Sequence, residues 1–180
     1  MTSDTELMRL ISVRSLPDGH VVIEANEKER SALAERFGIG AVHDLRAEVT
    51  LSQVTRGVHA TGTLHSQIEQ ECATSGEPFP VTLEEPVDLL FVPATKRGNG
   101  SAEEEVELDT DELDEIEYTG DNFDLGEAVA QTLGLAIDPY ARGPNADAVR
   151  QQTGIVPDDA PKGPLAEALT NLSSNRRSAS

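Results

Sequence analysis

The sequence predicts an α+β fold, namely a mostly antiparallel bent sheet or a partly open β-barrel with two short helices packed against it. The first observation behind this prediction is a regular alternation of apolar and polar residues along Ala41–Val54 and again along Val58–Cys72. Such period-two alternation is typical of strands with one buried and one solvated face. The second is the Thr-Arg-Gly turn between the two stretches, which predicts a long antiparallel hairpin with one polar face.

Two shorter strands and a helix are predicted before the hairpin. Leu7–Val13 and Val21–Ala25 are rich in apolar residues, and a Pro-Asp-Gly turn lies between them. Asn26 is a good N-cap for a helix, and Glu29 three residues later completes a capping box. Gly38 then provides a C-terminal cap, because glycine readily adopts the left-handed conformation that ends many helices.

Further strands and the second helix are predicted after the hairpin. Phe79–Phe91 continues the period-two pattern. Pro86 within it predicts a bent strand or a sheet edge, because proline cannot donate a hydrogen bond to a neighbouring strand. Leu113–Tyr118 is a candidate short strand. Residues 124–136 carry apolar side chains at helical spacing, which predicts the second helix.

We expect one domain over residues 1–141, into which a flexible acidic loop is inserted at residues 94–112. The loop is rich in Gly, Ser and acidic residues, a composition that favours disorder. Residues 142–180 are rich in Gly, Pro, Asn, Asp and Ser, and they are predicted to form a mostly disordered tail. A short helix at residues 164–172 is the exception, because Leu and Ala recur there at helical spacing.

The negative charge is concentrated in one stretch of the chain. The formal net charge is -19, and residues 98–141 contain fourteen Asp or Glu with no Lys or Arg. Proteins that bind nucleic acid concentrate Lys and Arg to neutralise phosphates, so most of this surface would repel RNA. A basic protein partner fits the charge better. The alternative is that the acidic run only keeps a flexible loop solvated.

The single cysteine, Cys72, is predicted to be a buried structural residue. It lies in the core-facing phase of the hairpin, where a thiol acts as a small apolar filler. The carboxylates of Glu69, Glu71 and Glu77 would raise the pKa of this thiol and leave it unreactive. One cysteine excludes an intrachain disulfide and an all-cysteine metal site. The four histidines lack metal-ligand spacing, so we expect no metal, no cofactor and no catalytic residue.

The sequence also predicts a cellular location. No apolar run approaches the ~18 residues that suggest a membrane span. The first residues of the chain lack the charged and then apolar layout of a signal peptide. We therefore expect a cytoplasmic protein that makes no membrane contact.

A motif-like run, Asp124-Leu125-Gly126-Glu127, opens the second helix. Asp124 can cap this helix and Glu127 occupies the N3 position, so the two residues predict a second capping box. Both carboxylates also favour the positive end of the helix dipole. Leu125 begins the buried stripe of the helix. Gly126 weakens the first turn, and the close approach of another backbone segment would explain its presence.

Several of these features follow one another in a definite order. The hairpin ends in Cys72 and is followed by a strand start at Phe79, an acidic loop, the run at residues 124–127 and a Leu-Ala-x-x-Pro helix end at Pro139. This order resembles the YceD family, the large ribosomal RNA subunit accumulation proteins, over roughly residues 7–144. The resemblance implies a factor needed for normal levels of large-subunit ribosomal RNA. It also makes the motif residues candidates for partner contact: Cys72, Phe79, Asp124, Leu125, Gly126, Glu127 and Pro139.

Two departures from the family pattern bear on metal binding. Many members carry a C-x-x-C pair after the hairpin and further cysteines after the helix, which together suggest a metal-binding knuckle. In this chain Ser75 stands at the second position of that pair, and residues 138–142 contain no cysteine. A metal role is therefore not carried over from the resemblance.

The leading functional hypothesis is a non-enzymatic factor for the accumulation or processing of large-subunit ribosomal RNA. It would act through a basic ribosomal or ribosome-assembly protein rather than by gripping RNA directly. One alternative is a metal-dependent nuclease for ribosomal RNA precursors, with Glu69, Glu71 and Asp124 as ligands, since hard cations need clustered carboxylates. Another alternative is an acidic protein-interaction module unrelated to ribosomes.

Overall fold

The structure, a computed structural model, describes residues 6–94 and 114–153. The chain divides into two compact units, Met1–Gly143 and Pro144–Ser180, and the second is described only as far as Thr153. The predicted acidic loop, apart from its first residue, lies outside the described residues, as does the predicted helix at residues 164–172.

Strands make up most of the described part of the first unit. The strands are β1 (Leu10–Ser12), β2 (His20–Glu24), β3 (Ala41–Val54), β4 (Gly57–Glu71), β5 (Pro78–Pro93), β6 (Asp114–Tyr118) and β7 (Asn122–Asp124). The helices of this unit are α1 (Glu27–Phe37) and α2 (Leu125–Ala136). The second unit contains α3 (Ala146–Thr153), a helix within the stretch for which the composition favours a disordered tail.

The strands form two sheets. An open five-stranded sheet has the order β2-β3-β4-β5-β6, and β1 pairs with β7 in a separate two-stranded sheet. Each of these strand pairs is antiparallel except β5 with β6, which is parallel. The α+β class and the mostly antiparallel sheet are thus confirmed, and the sheet does not close into a barrel.

The predicted edge character of the strand around Pro86 is confirmed locally. β5 lies between β4 and β6, but β6 pairs only with Leu89–Pro93. Pro86 stands opposite Thr63 of β4, and within the described residues no strand pairs with it on its other side. The missing N–H of proline is therefore tolerated, because no second strand requires it there.

Both predicted caps of α1 are confirmed. The Asn26 side chain accepts a hydrogen bond from the Glu29 N–H at 3.0 Å, and the Glu29 carboxylate accepts one from the Asn26 N–H at 2.8 Å. Gly38 ends the helix in the left-handed conformation, with φ of 64°. Local sequence chemistry thus determines where this helix begins and ends.

One face of the main sheet and the two helices of the first unit enclose the hydrophobic core. α1 packs against β3, and α2 packs against β4 and β5. Phe91 of β5 stacks on Phe123 of β7 with 4.1 Å between ring centroids, which joins the two sheets. The apolar phase of the hairpin is buried in this core as predicted, with its members being Leu45, Ala47, Val49, Leu51, Val58, Ala60, Leu64 and Ile68.

The opposite face of the main sheet, called the open face below, carries mainly polar side chains. It consists of the even-numbered residues 44–52 of β3, the odd-numbered residues 59–71 of β4 and their neighbours in register on β2, β5 and β6. One row across it contains Glu24, Arg46, His65 and Glu84 in register. Strands lie about 4.8 Å apart, so this row spans roughly 14 Å.

Candidate functional site

The run at residues 124–127 lies where the N-terminus of α2 meets the first strand. Asp124 Oδ1 accepts hydrogen bonds from the N–H groups of Gly126 at 3.1 Å and Glu127 at 3.2 Å, and also from the N–H of Arg9 at 2.8 Å. The Leu125 N–H donates to the Arg9 carbonyl at 3.0 Å. One carboxylate therefore caps the helix and attaches the N-terminal segment to it.

Gly126 is required by the close approach of another backbone segment, as predicted. A Cβ at this position would lie 1.8 Å from the Leu7 carbonyl oxygen and 2.9 Å from the Arg9 nitrogen. The contact with the oxygen is far shorter than nonbonded atoms allow, and the contact with the nitrogen is also too short. The glycine thus lets the segment at residues 7–9 cross directly over the first turn of α2.

Glu127 contributes to packing between the two helices rather than to a free surface. Its carboxylate accepts two hydrogen bonds from the Arg36 guanidinium of α1, at 2.8 and 2.9 Å, and one from Gln131. Arg36 also donates to Glu6 at 2.9 Å. The hydrogen bonds from Arg36 lower the pKa of Glu127 below its usual value, although partial burial opposes this effect. Of the predicted second capping box, the structure shows the hydrogen bonds that the Asp124 side chain accepts from the backbone N–H groups of Gly126 and Glu127.

A second arginine–carboxylate pair joins the first strand to α1. The Arg9 guanidinium donates to both oxygens of Glu29, at 2.8 and 3.0 Å, and to the Glu24 carbonyl at 3.0 Å. The bidentate contact lowers the pKa of Glu29. Since the Glu29 carboxylate also caps α1 at Asn26, the pair connects a helix cap to the neighbouring strand.

Cys72 lies in a tight turn after β4. Its Sγ accepts hydrogen bonds from the backbone N–H groups of Thr74 and Ser75, each at 3.4 Å. The Gly76 N–H donates to the Cys72 carbonyl at 2.8 Å, and the Cys72 N–H donates to the Glu77 carbonyl at 2.9 Å. The side chain is only 3% exposed. The predicted burial is confirmed, although the residue lies outside the main core cluster.

The expectation for the pKa of Cys72 was wrong. Negative neighbours were expected to raise this pKa, but in the structure it is lowered from 9.0 to about 7. The largest cause is the hydrogen bond from the Ser75 hydroxyl, followed by the Ser75 N–H, and the N–H groups of Gly143 and Thr74 add to it. Hydrogen-bond donors aimed at the sulfur outweigh the opposing effect of burial on this pKa.

The segment after α2 packs on this turn. The Ala73 N–H donates to the Ala141 carbonyl at 3.0 Å, and Gln70 Nε2 donates to the Asp138 carbonyl at 3.0 Å. These bonds attach residues 138–141 to the end of the hairpin. The segment therefore takes its position from the hairpin and not only from α2.

Phe79 and Pro139 also belong to this region. A Cβ on Gly143 would lie 3.1 Å from the half-buried Phe79 ring and 3.4 Å from Cys72 Cβ, so the three residues are in close contact. Pro139 is exposed and lies in the segment after α2, four residues before Gly143. The predicted motif residues thus fall into two groups at opposite ends of α2, whose 12 residues span roughly 18 Å. The structure does not combine them into one site.

The carboxylates proposed as metal ligands for a nuclease are not grouped either. Glu69 and Glu71 belong to the open face of β4, whereas Asp124 lies at the cap of α2 on the helix-covered side. Across the described ranges 6–94 and 114–153, no group of three or more His, Cys, Asp and Glu side chains could hold a metal ion.

The open face gathers carboxylates from five strands. The sequence did not predict this concentration. Which polar residues of different strands lie next to one another is known only once the register between the strands is known. The acidic residues on the open face are Glu24, Asp44, Glu48, Glu69, Glu71, Glu84, Asp88, Glu115 and Glu117.

Few positive groups balance these carboxylates. Arg46 pairs with Glu48 at 2.6 Å and with Glu24. His59 Nε2 lies 2.6 Å from an Asp88 oxygen, which gives a partly exposed pair on β4 and β5. Even with Arg46, and with Arg56 paired to Glu115, the described part of the open face carries a clear negative excess, which suits a positively charged ligand.

These observations define the class: an α+β domain whose main sheet is covered by helices on one face and exposes an acidic face on the other. A family model described as "Large ribosomal RNA subunit accumulation protein YceD" matches residues 60–172, and the chain belongs to the YceD family. The predicted resemblance is thereby confirmed, and the family is one concerned with large-subunit ribosomal RNA. No curated protein and no solved structure matches the chain.

The match begins inside β4, so β1 to β3 and α1 precede the matched residues. It ends at residue 172, beyond the described part of the second unit. Within the described residues, none of the helices is both long and apolar enough to cross a membrane. The cytoplasmic location stays a prediction.

Proposed function

We propose that this protein is a non-enzymatic factor that supports the accumulation of large-subunit ribosomal RNA by binding a basic ribosomal or ribosome-assembly protein. Membership of the YceD family supports the ribosomal context. The observation that carries the mode of action is the concentration of negative charge in residues 98–141, to which the carboxylates of β2 to β5 on the open face add. Negative surfaces of this kind attract basic proteins and repel phosphates.

The proposed mechanism is an electrostatic exchange. Ribosomal RNA and this protein both present negative charge, so they compete for the same basic partner. The protein would neutralise its partner until the much higher charge density of RNA displaces it. No covalent chemistry is needed for this role.

The nuclease alternative receives less support from the geometry. A two-metal or one-metal nuclease needs carboxylates that converge on one cation. Glu69 and Glu71 lie on the open face, while Asp124 Oδ1 is occupied by three backbone N–H groups at the cap of α2. The non-enzymatic role is therefore the better proposal.

The test combines depletion with capture. Depleting the protein should lower the ratio of large-subunit to small-subunit ribosomal RNA, and the wild-type chain should restore this ratio. A variant with every Asp and Glu of residues 103–112 changed to Asn or Gln should restore it less well. This variant keeps the chain length and leaves β6, which begins at Asp114, unchanged.

Capture from a lysate identifies the partner. The wild-type chain should retain a basic ribosomal or assembly protein that the neutralised variant retains weakly. Retention of naked ribosomal RNA without such a protein would contradict the proposed mode of action. An unchanged ribosomal RNA ratio after depletion would contradict the functional context itself.

A further inference from the structure

A small cavity opens on the open face at the turn of the β3–β4 hairpin. Its volume is about 310 Å³, and its lining consists of Val54, Thr55, Arg56, His59 and Leu90. Leu90 is only 5% exposed, although it lies in the same phase of β5 as the polar residues of the open face. Val54 is 38% exposed. Val54 and Leu90 give the lining an apolar part on a mainly polar sheet face, and this part provides a place for an apolar side chain.

Two carboxylates contact side chains that line this cavity. His59, Leu90 and Glu115 are neighbours in register on β4, β5 and β6. Asp88 contacts the His59 ring at 2.6 Å, and Glu115 pairs with Arg56. Each carboxylate has further acceptor positions for a positive group from a ligand.

We propose that this cavity and the adjoining open face bind an extended Lys- and Arg-rich segment of a partner protein, which inserts one apolar side chain into the cavity. The inference rests on the proposed function, because it names the surface through which the basic partner is held. The apolar side chain provides register, and the carboxylates provide attraction and orientation.

Charge complementarity selects this occupant over others. The open face has a large excess of carboxylates over arginines, so RNA and anionic membranes would be repelled. A second copy of the chain would bring the same negative charge to the contact. Only a positively charged partner gains electrostatic energy from the whole face.

The size of the cavity limits what can enter it. A volume of about 310 Å³ lies at the lower end of the ~300–1,000 Å³ range of ligand pockets, and it suits one large side chain. The row of Glu24, Arg46, His65 and Glu84 on the same open face spans roughly 14 Å across four strands, a distance that about four residues of an extended segment can cover.

Two synthetic peptides test the inference directly. Both are Lys-rich and extended, and they differ only in a central residue, which is Leu in one and Ser in the other. Binding to the full chain is measured by calorimetry. The Leu peptide should bind about tenfold more tightly, because burying a Leu side chain favours binding by an amount of that order.

Two charge-matched double variants locate the surface. Glu84→Gln with Asp88→Asn removes two carboxylates from the open face, and Glu27→Gln with Glu35→Gln removes two from the exposed side of α1. The first pair should weaken binding of the Leu peptide several-fold more than the second. Thermal melting by circular dichroism confirms that both variants fold.

A cavity variant, Val54→Asn, should abolish the preference for Leu over Ser while leaving the Ser peptide unaffected. Equal weakening of peptide binding by the two charge-matched variants would overturn the assignment of the surface. Equal affinity of the wild-type chain for the Leu and Ser peptides would overturn the proposal that the cavity accepts an apolar side chain. Either result, together with retention of a basic ribosomal protein in the lysate capture, would leave the proposed function standing. Loss of that capture as well would remove both.

Discussion

Gly126 marks the point where the N-terminal segment at residues 7–9 crosses the start of α2. The Leu7 carbonyl lies so close that any side chain would collide with it, and the hydrogen bonds of Asp124 join the same segment. Helix propensity alone would favour alanine here, since glycine weakens a helix by about 1 kcal/mol. The tertiary contact therefore overrides the local preference.

Replacing this glycine should destabilise the protein. Gly126→Ala places a Cβ 1.8 Å from the Leu7 oxygen, so the backbone must shift, at a cost of about 1–3 kcal/mol in the free energy of unfolding. Urea denaturation measures the change. Gly134→Ala in the same helix is the control, because its Cβ would lie 2.9 Å from the Phe37 ring, a side chain that can shift by a few tenths of an ångström, whereas the Leu7 oxygen belongs to the backbone. If Gly126→Ala unfolds at the same urea concentration as Gly134→Ala or a higher one, the close approach is contradicted.

The pKa of Cys72 depends on one hydroxyl more than on any other group. Ser75→Ala should raise this pKa from about 7 toward 9.0, because the largest cause of the shift is lost. Ultraviolet absorbance of the thiolate, followed against pH, reports the titration of this single cysteine. Thr74→Ala keeps its backbone N–H and should leave the titration unchanged. A titration in Ser75→Ala that coincides with that of the wild type would refute the assignment.

The same shift has a consequence for stability. The pKa of the folded thiol is depressed below its unfolded value, so ionisation favours the folded state. This contribution is complete above pH 9.0 and is lost as the pH falls through about 7. It should diminish in Ser75→Ala.

At the scale of elements, arginines join segments that the sequence presents separately. Arg36 connects α1 to α2 through Glu127, and Arg9, which directly precedes β1, connects the N-terminal segment to α1 through Glu29. Each is a bidentate pair in which both side chains are no more than about a third exposed. Such pairs contribute more than isolated surface ion pairs do.

A double-mutant cycle measures the link between the helices. Arg36→Met and Glu127→Gln should show a coupling of about 1 kcal/mol in the free energy of unfolding at neutral pH. The pKa of Glu127 is lowered by Arg36, so the coupling is present above the unfolded pKa of about 4.3 and disappears as the pH falls further. The exposed pair Arg46→Met and Glu48→Gln is the control and should couple less. Equal coupling in the two cycles would contradict the structural role of Arg36.

The element boundaries show what local sequence can and cannot predict. The β3–β4 hairpin, β5 and α1 follow from alternation and caps, which act over a few neighbouring residues. The pairing of β1 with β7 and the parallel pairing of β5 with β6 join residues far apart in the chain. Local patterns contain no information about such partners, and this is why these pairings were not predicted.

At the scale of the whole molecule, charge should govern binding. The chain carries a formal net charge of -19, and the open face concentrates part of it. The affinity for a basic ribosomal protein should therefore fall steeply as salt rises from about 0.05 to 0.5 M, because the Debye length shrinks from over 10 Å to a few Å. Calorimetry at several salt concentrations measures the slope. Affinity that does not change with salt would rule out the electrostatic exchange.

The sequence by itself determined the fold class, the family, the hairpin, the caps of α1 and the excess of negative charge. These properties depend on composition and on neighbours within a few positions, which a single chain displays directly. Only the tertiary structure decided why Gly126 is glycine, which donors lower the pKa of Cys72, and which carboxylates share the open face. Each of these depends on segments distant in sequence being brought within a few ångströms, and only folding sets that distance.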